Sequence, residues 1–498
     1  MHAIALRSFR PFAAAVASGA LSLLLLPAPA VAQQDASALL KRSAAAMGAT
    51  QLGSIRYAGE GTGYTFGQAY TPGMAWPRIT IHSQVRTVNY ESGSMRDEIV
   101  LSRAEPKGGG GYPITGQQRN DQYVSGTYAW NMAAQGPASN QRLLTDRVHQ
   151  LWISPHGIVK AAQRNGATVQ WRSAKGMPDM AAVSFTEPGR FKATAWINDD
   201  YLVERVDSRV PDAVLGEVDV QTLYSDYRDF GGVKFPMRIR QSQGGFPVLD
   251  LMVKEVEPQA AADIEVPDAM KSAVERATAT QVAPGVWHVA GGTHNSVAIE
   301  MKDHMVLVEA PLGDARMAAV LEQVKQLAPG KPIRYVINSH SHFDHSGGLR
   351  AAVAEGAIVV TQAANEPYFQ RAFATPSRLA PDRLAHAGRK PRFVAVNGHL
   401  TMGDSSRKLE IHQIQDSNHS NTFLMVYLPA EKLLIQADAF TPPPPGTPPP
   451  AQPNPNNVNL VANIERLKLQ VEQILPLHGR VVPMADLYAA VGANAPKP

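Results

Sequence analysis

Arg334-Tyr335-Val336-Ile337-Asn338-Ser339-His340-Ser341-His342-Phe343-Asp344-His345-Ser346-Gly347-Gly348 begins as a short apolar strand and ends in glycines that hand the chain to a helix. Between them lie three histidines and an aspartate within six residues. The ends of strands in α/β domains are where sites are built, and a loop that reverses there can aim four neighbouring side chains at one point. His340 and His342 are expected to share one metal, and Asp344 and His345 to serve a second. Imidazole and carboxylate suit zinc, and a hydrolytic centre needs about three protein ligands per metal with one position left for water.

One short motif cannot complete two such shells. Downstream, His419, Asp438 and His478 each stand beside an apolar run, Asp438 directly after residues 433–437. Taken in this order, His340-x-His342-x-Asp344-His345, His419, Asp438 and His478 resemble the metallo-β-lactamase superfamily, over a span from about Ala283 to the C-terminus. The resemblance implies an αββα sandwich. It implies a first metal on His340, His342 and His419, a second on Asp344, His345 and His478, and Asp438 where a carboxylate often bridges the two. Glu309 falls where the family commonly has an aspartate, and two roles stand open for it, orienting a ligand histidine from behind or a surface or capping role. The implied cofactor is zinc, two ions per chain, with iron or manganese as other fits. Asp344 is the expected catalytic residue, orienting the nucleophile and relaying its proton.

Working outward, strands at residues 305–308 and 334–337 alternate with helical segments such as 315–327, an α/β grammar. Leu460, Ile464, Leu467, Val471 and Ile474 recur at threes and fours and are expected on one face of a helix leading to His478. The proline-dense stretch 441–457 reads as a stiff extended loop beside the site. His288, His294, His304, His386, His399 and His412 match no motif and are read as structural, His294 being the one beside a Gly-Gly turn.

Residues 33–256 read differently, as short alternating runs broken by turns, hence a β-rich antiparallel domain. Hairpins are expected about Asn198-Asp199-Asp200 and Gly231-Gly232, and a flexible loop at Gly108 to Gly111. Tyr224-Ser-Asp-Tyr227-Arg-Asp-Phe-Gly-Gly-Val-Lys-Phe-Pro236 is weakly similar to periplasmic lipoprotein-carrier domains. His156 is expected to pack or cap a helix rather than face the metals, and Trp76, Trp130, Trp152 and Trp171 to be core rather than a ligand groove. Prolines and an alanine-rich polar stretch at 257–280 mark a linker, placing the catalytic domain at 281–498.

The chain opens with basic residues, an apolar stretch at 13–26 and Ala30-Val31-Ala32, the pattern of an export signal cleaved after Ala32. The expected destination is the periplasm, with no membrane span afterwards. The chain has no cysteine, which excludes disulfides and thiolate ligands. A formal charge of +4, reduced by the loss of Arg7 and Arg10, offers no basic field for nucleic acid. The expected partner is a small molecule, and oligomeric state is not readable. An ester, lactone or other acyl substrate is favoured over a β-lactam because a bridging Asp438 and the long N-terminal domain depart from lactamases of this fold. An iron centre resembling persulfide dioxygenases and a lipid- or glycan-binding protein are the readings from other classes.

Overall fold

The computed structural model describes residues 29–109, 116–172, 180–375 and 377–492. Most of the expected export signal, with Gly110 and Gly111, lies outside them; helix Pro29–Ala46 starts ahead of the expected cleavage point.

The N-terminal region is one thirteen-stranded antiparallel sheet, running from edge strand Gly136–Ser139 to edge strand Thr168–Arg172. Its first strand, Ser54–Tyr64, pairs with its last, Phe246–Pro258, so the chain enters and leaves at the middle of the sheet. Alternating burial in Phe191–Ile197 shows why: every second side chain enters a core and its neighbours face out. Both expected hairpins form, Phe191–Ile197 with Val203–Asp212 and Gly216–Asp229 with Lys234–Gln243. Helices Pro29–Ala46, Leu144–Trp152 and Pro155–Arg164 cover part of one face, where Leu40, Leu151 and Ile158 pack against Ile55, Tyr57 and Phe235.

His156 lies in that core, its Nε2–H donating to the Met47 carbonyl at 3.2 Å. Trp130 and Trp152 are core, whereas Trp171 is exposed. Burial pushes His156 down to about 4, so the folded protein resists a proton that the unfolded chain accepts near pH 6.5. Stability is therefore full above pH 6.5 and falls as pH drops toward 4, by an amount on the order of 3 kcal/mol from this residue. Urea midpoints at pH 7 and pH 5 should differ in this direction, and the difference should shrink in His156→Gln.

Stretch 257–280 holds the end of Phe246–Pro258, a helical turn at Asp268–Lys271 and the start of Thr278–Ala283. From there the chain forms two facing sheets, one of seven strands and one of six. In Met305–Val308 every residue is buried: Val306 and Val308 face the second sheet, while Met305 and Leu307 face helices such as Asp314–Leu327. Strands covered on both faces lose the alternation that marks half-exposed ones. Helices Pro455–Leu467 and Met484–Ala490 cover the outer face of the six-stranded sheet through Leu460, Ile464 and Leu487, completing an αββα sandwich.

One helix differs from its sequence reading. Pro455–Leu467 stops at Lys468, which adopts the left-handed conformation at φ 55°. Val471 and Ile474 are therefore not on its apolar face, and Ile474 belongs to strand Gln473–Pro476. Their spacing matched a helix only because both elements bury side chains in one core.

Candidate metal centre

Strand Ile333–Ile337 runs parallel to Met305–Val308 and Ile358–Gln362 at the centre of its sheet, and the loop at its end carries His340 to His345. His342 caps the single helical turn Phe343–Ser346, and His345 within that turn brings its ring 4.5 Å from that of His340. His419 comes from the loop before Leu424–Leu428, Asp438 follows Leu433–Gln436 and His478 follows Gln473–Pro476. All seven expected ligands meet at this end of the sandwich.

They form two groups. His340 Nε2 lies 2.9 Å from His342 Nδ1 and 3.1 Å from His419 Nε2. In the second group His345 Nε2 lies 3.1 Å from His478 Nε2 and 3.8 Å from Asp344 Oδ2. Asp438 stands between: Oδ2 is 2.7 Å from His419 Nε2, and Oδ1 is 2.7 Å from His478 Nε2 and 3.2 Å from His345 Nε2. One carboxylate thus turns an oxygen to each group.

The outward ring nitrogens show that these groups fit cations. His342 Nε2–H donates to the Ala69 carbonyl at 3.1 Å, His478 Nδ1–H to the Thr293 carbonyl at 2.9 Å and His345 Nδ1–H to Glu309 Oε2 at 3.0 Å. Ser339 Oγ donates to Glu309 and so accepts from His340 Nδ1 at 2.9 Å. With those protons placed outside, the inward nitrogens of His340 and His342 present bare lone pairs to one another. Lone pairs 2.9 Å apart repel unless a cation sits among them. Tetrahedral zinc with nitrogen ligands sets such edges at about 3.3 Å, within a few tenths of what is found.

The metallo-beta-lactamase superfamily model matches residues 289–478. That segment is a metallo-beta-lactamase superfamily domain. Similar solved structures include a metallo-beta-lactamase from Pontibacter korlensis, 17% identical, with a TM-score of 0.33, covering 44% of this chain and 98% of that one. The metallo-beta-lactamase FIM-1 from Pseudomonas aeruginosa in its mono-zinc form is 20% identical, with a TM-score of 0.32 and coverages of 44% and 94%. One from Hirschia baltica is 19% identical, with a TM-score of 0.33 and coverages of 45% and 99%. No curated protein matches the chain.

Electrostatics of the superfamily domain agree with the ring geometry. Burial would raise Asp438, but His345, His419 and His478 hold its carboxyl well below the usual range. Burial likewise opposes the ionisation of Asp344, and His345 and His294 outweigh it. Burial drives His340 down to about 3 and His342 well below its ordinary value, leaving both neutral. His345 moves the other way: burial lowers it, but Asp438 and Asp344 raise it further, so without metal it holds a proton. Among the described residues, the salt-bridge partners of Asp344, Asp438 and Glu309 are all histidines. One buried and two partly buried carboxylates with no Lys or Arg partner among the described residues call for positive charge from elsewhere.

Glu309 is fully buried and also accepts from the Ser339 backbone N–H and the Asn338 side chain, each at 3.3 Å. Its φ of 76° is strained for a non-glycine residue, and this conformation puts the carboxylate behind both His340 and His345.

His294, read as structural, is at the site. Its Nε2 is 3.2 Å from Asp344 Oδ2 and its ring 4.2 Å from that of His478. The signal was its place in a Gly-Gly turn ahead of buried strand Ser296–Glu300, where adjacent Asn295 bonds the Pro476 and Gly479 carbonyls on either side of His478.

The N-terminal sheet also reaches the domain's metal loops, which no sequence signal announced. Gln68 Nε2 donates to Asp344 Oδ1 at 2.7 Å, and the Gly67 carbonyl accepts from Phe343 N at 3.1 Å. A Cβ on Gly67, at φ +80°, would lie 2.6 Å from the Phe343 ring. Phe66 and Trp76 pack edge-on against that ring. Gly108, expected in a flexible loop, is instead tied by its N–H to the Asn418 carbonyl at 2.8 Å, and Gly109 N–H to the Gln68 carbonyl at 3.0 Å. The N-terminal region thus braces both Asp344 and the loop of His419. Gln68→Ala should lower metal affinity or activity by about 10- to 100-fold, the usual cost of losing a group that orients a ligand. Chelator competition on the purified protein measures it, and wild-type affinity would remove Gln68 from the brace.

Proposed function

We propose that this chain is an exported, dinuclear zinc hydrolase acting on an ester, lactone or other acyl substrate. The observation that carries the reading is Asp438, with one oxygen 2.7 Å from His419 and the other 2.7 Å from His478. A carboxylate so shared suits two ions held side by side, His340, His342 and His419 around one, and Asp344, His345, His478 and His294 around the other. Ions held by these residues would supply Lewis-acid activation of a water near neutral pH and of the scissile carbonyl.

The protein's own groups do the rest. Asp344, anchored at Oδ1 by Gln68 and at Oδ2 by His294, orients the attacking water and accepts its proton. As the acyl carbon–oxygen bond breaks, that proton passes to the departing alkoxide, giving a free acid and an alcohol. His478, whose ring is 4.2 Å from that of buried His294, lines the cavity on which the site opens. Export rests on the N-terminal pattern alone. No described helix is long and apolar enough to cross a membrane.

Metal analysis of the purified protein joined to a panel of ester, lactone, β-lactam, sulfate-ester and phosphodiester substrates tests the proposal. Two zincs with ester or lactone turnover is the expected result. β-Lactam turnover alone would replace the substrate class. One iron with oxygen uptake would replace the reaction.

A further inference from the structure

Arg103 ends strand Ser94–Arg103, opposite Ile79, in the wall of a cavity of about 2120 Å³ that Asp344, His419, Asp438 and His478 also line. A cation at that place suggests a substrate anion, but its hydrogen bonds run elsewhere. Nε donates to the Glu105 carbonyl at 2.7 Å and Nη1 to the Gly109 carbonyl at 2.7 Å. Nη2 donates to the Lys107 and Gly108 carbonyls, at 3.0 and 2.5 Å. Four carbonyls from segment 105–109 thus converge on one guanidinium. Carbonyl dipoles aimed at one spot repel one another, and a planar cation with N–H groups on three nitrogens satisfies them together. The segment is wrapped on Arg103. Its entry is pinned separately, because Glu105 accepts from the Arg78 backbone N–H at 3.3 Å and from Arg78 Nε at 2.6 Å.

The end of the segment reaches the metal donors. Gly109 is buried, and a Cβ built on it would lie 2.6 Å from His342 Cε1 and 2.7 Å from His342 Nδ1, closer than van der Waals contact permits. Nδ1 is the nitrogen that faces His340, so the glycine backbone stands against the donor edge of the ring. On the other edge His342 Nε2–H is tied to the Ala69 carbonyl. An imidazole bonded at one nitrogen still rocks about that bond, and the buried glycine limits the motion. One residue earlier, Gly108 N–H holds the Asn418 carbonyl, next to His419. Two of the three histidines of the first group therefore lean on segment 105–109. The second group is anchored by other contacts: Asp344 by Gln68 and His294, His345 by Glu309, and His478 by the Thr293 carbonyl. Gln68 meets the segment through its own carbonyl, but its loop is also held by Gln68 N–H to Thr65 at 3.2 Å and by the Gly67 carbonyl to Phe343.

We infer that Arg103 is a positioning residue for the first metal: by wrapping segment 105–109 it holds Gly109 against His342 and Gly108 against the loop of His419. The role needs the two donor groups and no particular substrate.

The test uses the full-length protein and zinc, with the two binding steps resolved by chelator competition. Arg103→Ala should weaken one step by at least about tenfold, the lower end of the cost of losing a group that orients a ligand, and leave the other unchanged. At limiting zinc, anomalous scattering should find the emptied position among His340, His342 and His419. Millimolar guanidinium should restore the weakened step in Arg103→Ala, since the free cation fits the same carbonyls. Gly109→Ala should weaken the same step through its methyl group, and guanidinium should not restore it. Arg103→Lys should behave like Arg103→Ala, because one ammonium cannot span carbonyls from Glu105 to Gly109. Unchanged steps in Arg103→Ala, equal weakening of both, a loss that guanidinium does not repair, or wild-type behaviour of Arg103→Lys overturns the inference. Substrate turnover in the wild type would still leave the hydrolase reading standing. Should Arg103→Ala fail to fold, Gly109→Ala decides: selective loss at the first group supports the role, and unaltered zinc steps overturn it. A wild type that takes up no zinc removes the centre and this role together.

Discussion

Asp438→Ala is expected to reduce bound metal from two ions per chain to one or none and to lower kcat/KM by about a thousandfold or more. The substitution removes the one group that faces both donor sets, with oxygens 2.7 Å from His419 and 2.7 Å from His478. What remains is a triad of His340, His342 and His419 beside His345 and His478, with no anion between two cations that repel each other. The lost Lewis-acid assistance amounts to several kcal/mol of transition-state stabilisation, about a thousandfold in rate at four kcal/mol. Asp438 lies at the end of buried strand Leu433–Gln436 rather than in the hydrophobic core, so far-ultraviolet circular dichroism should stay that of the parent. Two tightly held metals in Asp438→Ala would remove the bridge from the account.

The second large effect is expected from Asp344→Ala, which should abolish turnover in a protein that still folds. Here the loss is double. Asp344 Oδ2 faces His345 and His294 as a donor of the second group, and the same carboxylate is the proposed proton acceptor. Its removal also strands Gln68, whose Nε2 has Asp344 Oδ1 as its partner at 2.7 Å. The first donor group is untouched, so the variant should keep about one metal while losing activity. Comparing metal content with kcat therefore separates this variant from Asp438→Ala, and undiminished turnover would sink the role given to Asp344.

The site was legible where its chemistry is local. His340, His342, Asp344 and His345 crowd one loop because a single chain reversal has to serve two donor groups, and that density stands out against a sparse background of histidine. Buried strands such as Met305–Val308 were readable because a strand covered on both faces is apolar throughout. Other features depended on distance. Gln68 meets Asp344 across 276 positions of chain, and a lone glutamine in a glycine-containing turn carries no periodicity or motif to announce it. His294 resembled any structural histidine until the fold set its ring 4.2 Å from His478. Helix Pro455–Leu467 was read too long because its stop is a lysine in a left-handed conformation, where a glycine would have signalled the end.

These contacts also change the standing of the N-terminal sheet. Read from sequence it was a separate β-rich domain of open purpose. In the folded chain it donates to Asp344, accepts from His342 and walls the cavity into which Asp344, His419, Asp438 and His478 face. Metal centre and sheet are therefore parts of one site, and changes at Gln68 or Gly67 should register at the metals.

The most direct measurement is anomalous diffraction at the zinc edge from crystals of the zinc-loaded protein. The account predicts two peaks, one on each side of the Asp438 carboxylate, the first among His340, His342 and His419 and the second among Asp344, His345 and His478. A single peak, or two peaks that leave Asp438 uncoordinated, would contradict it.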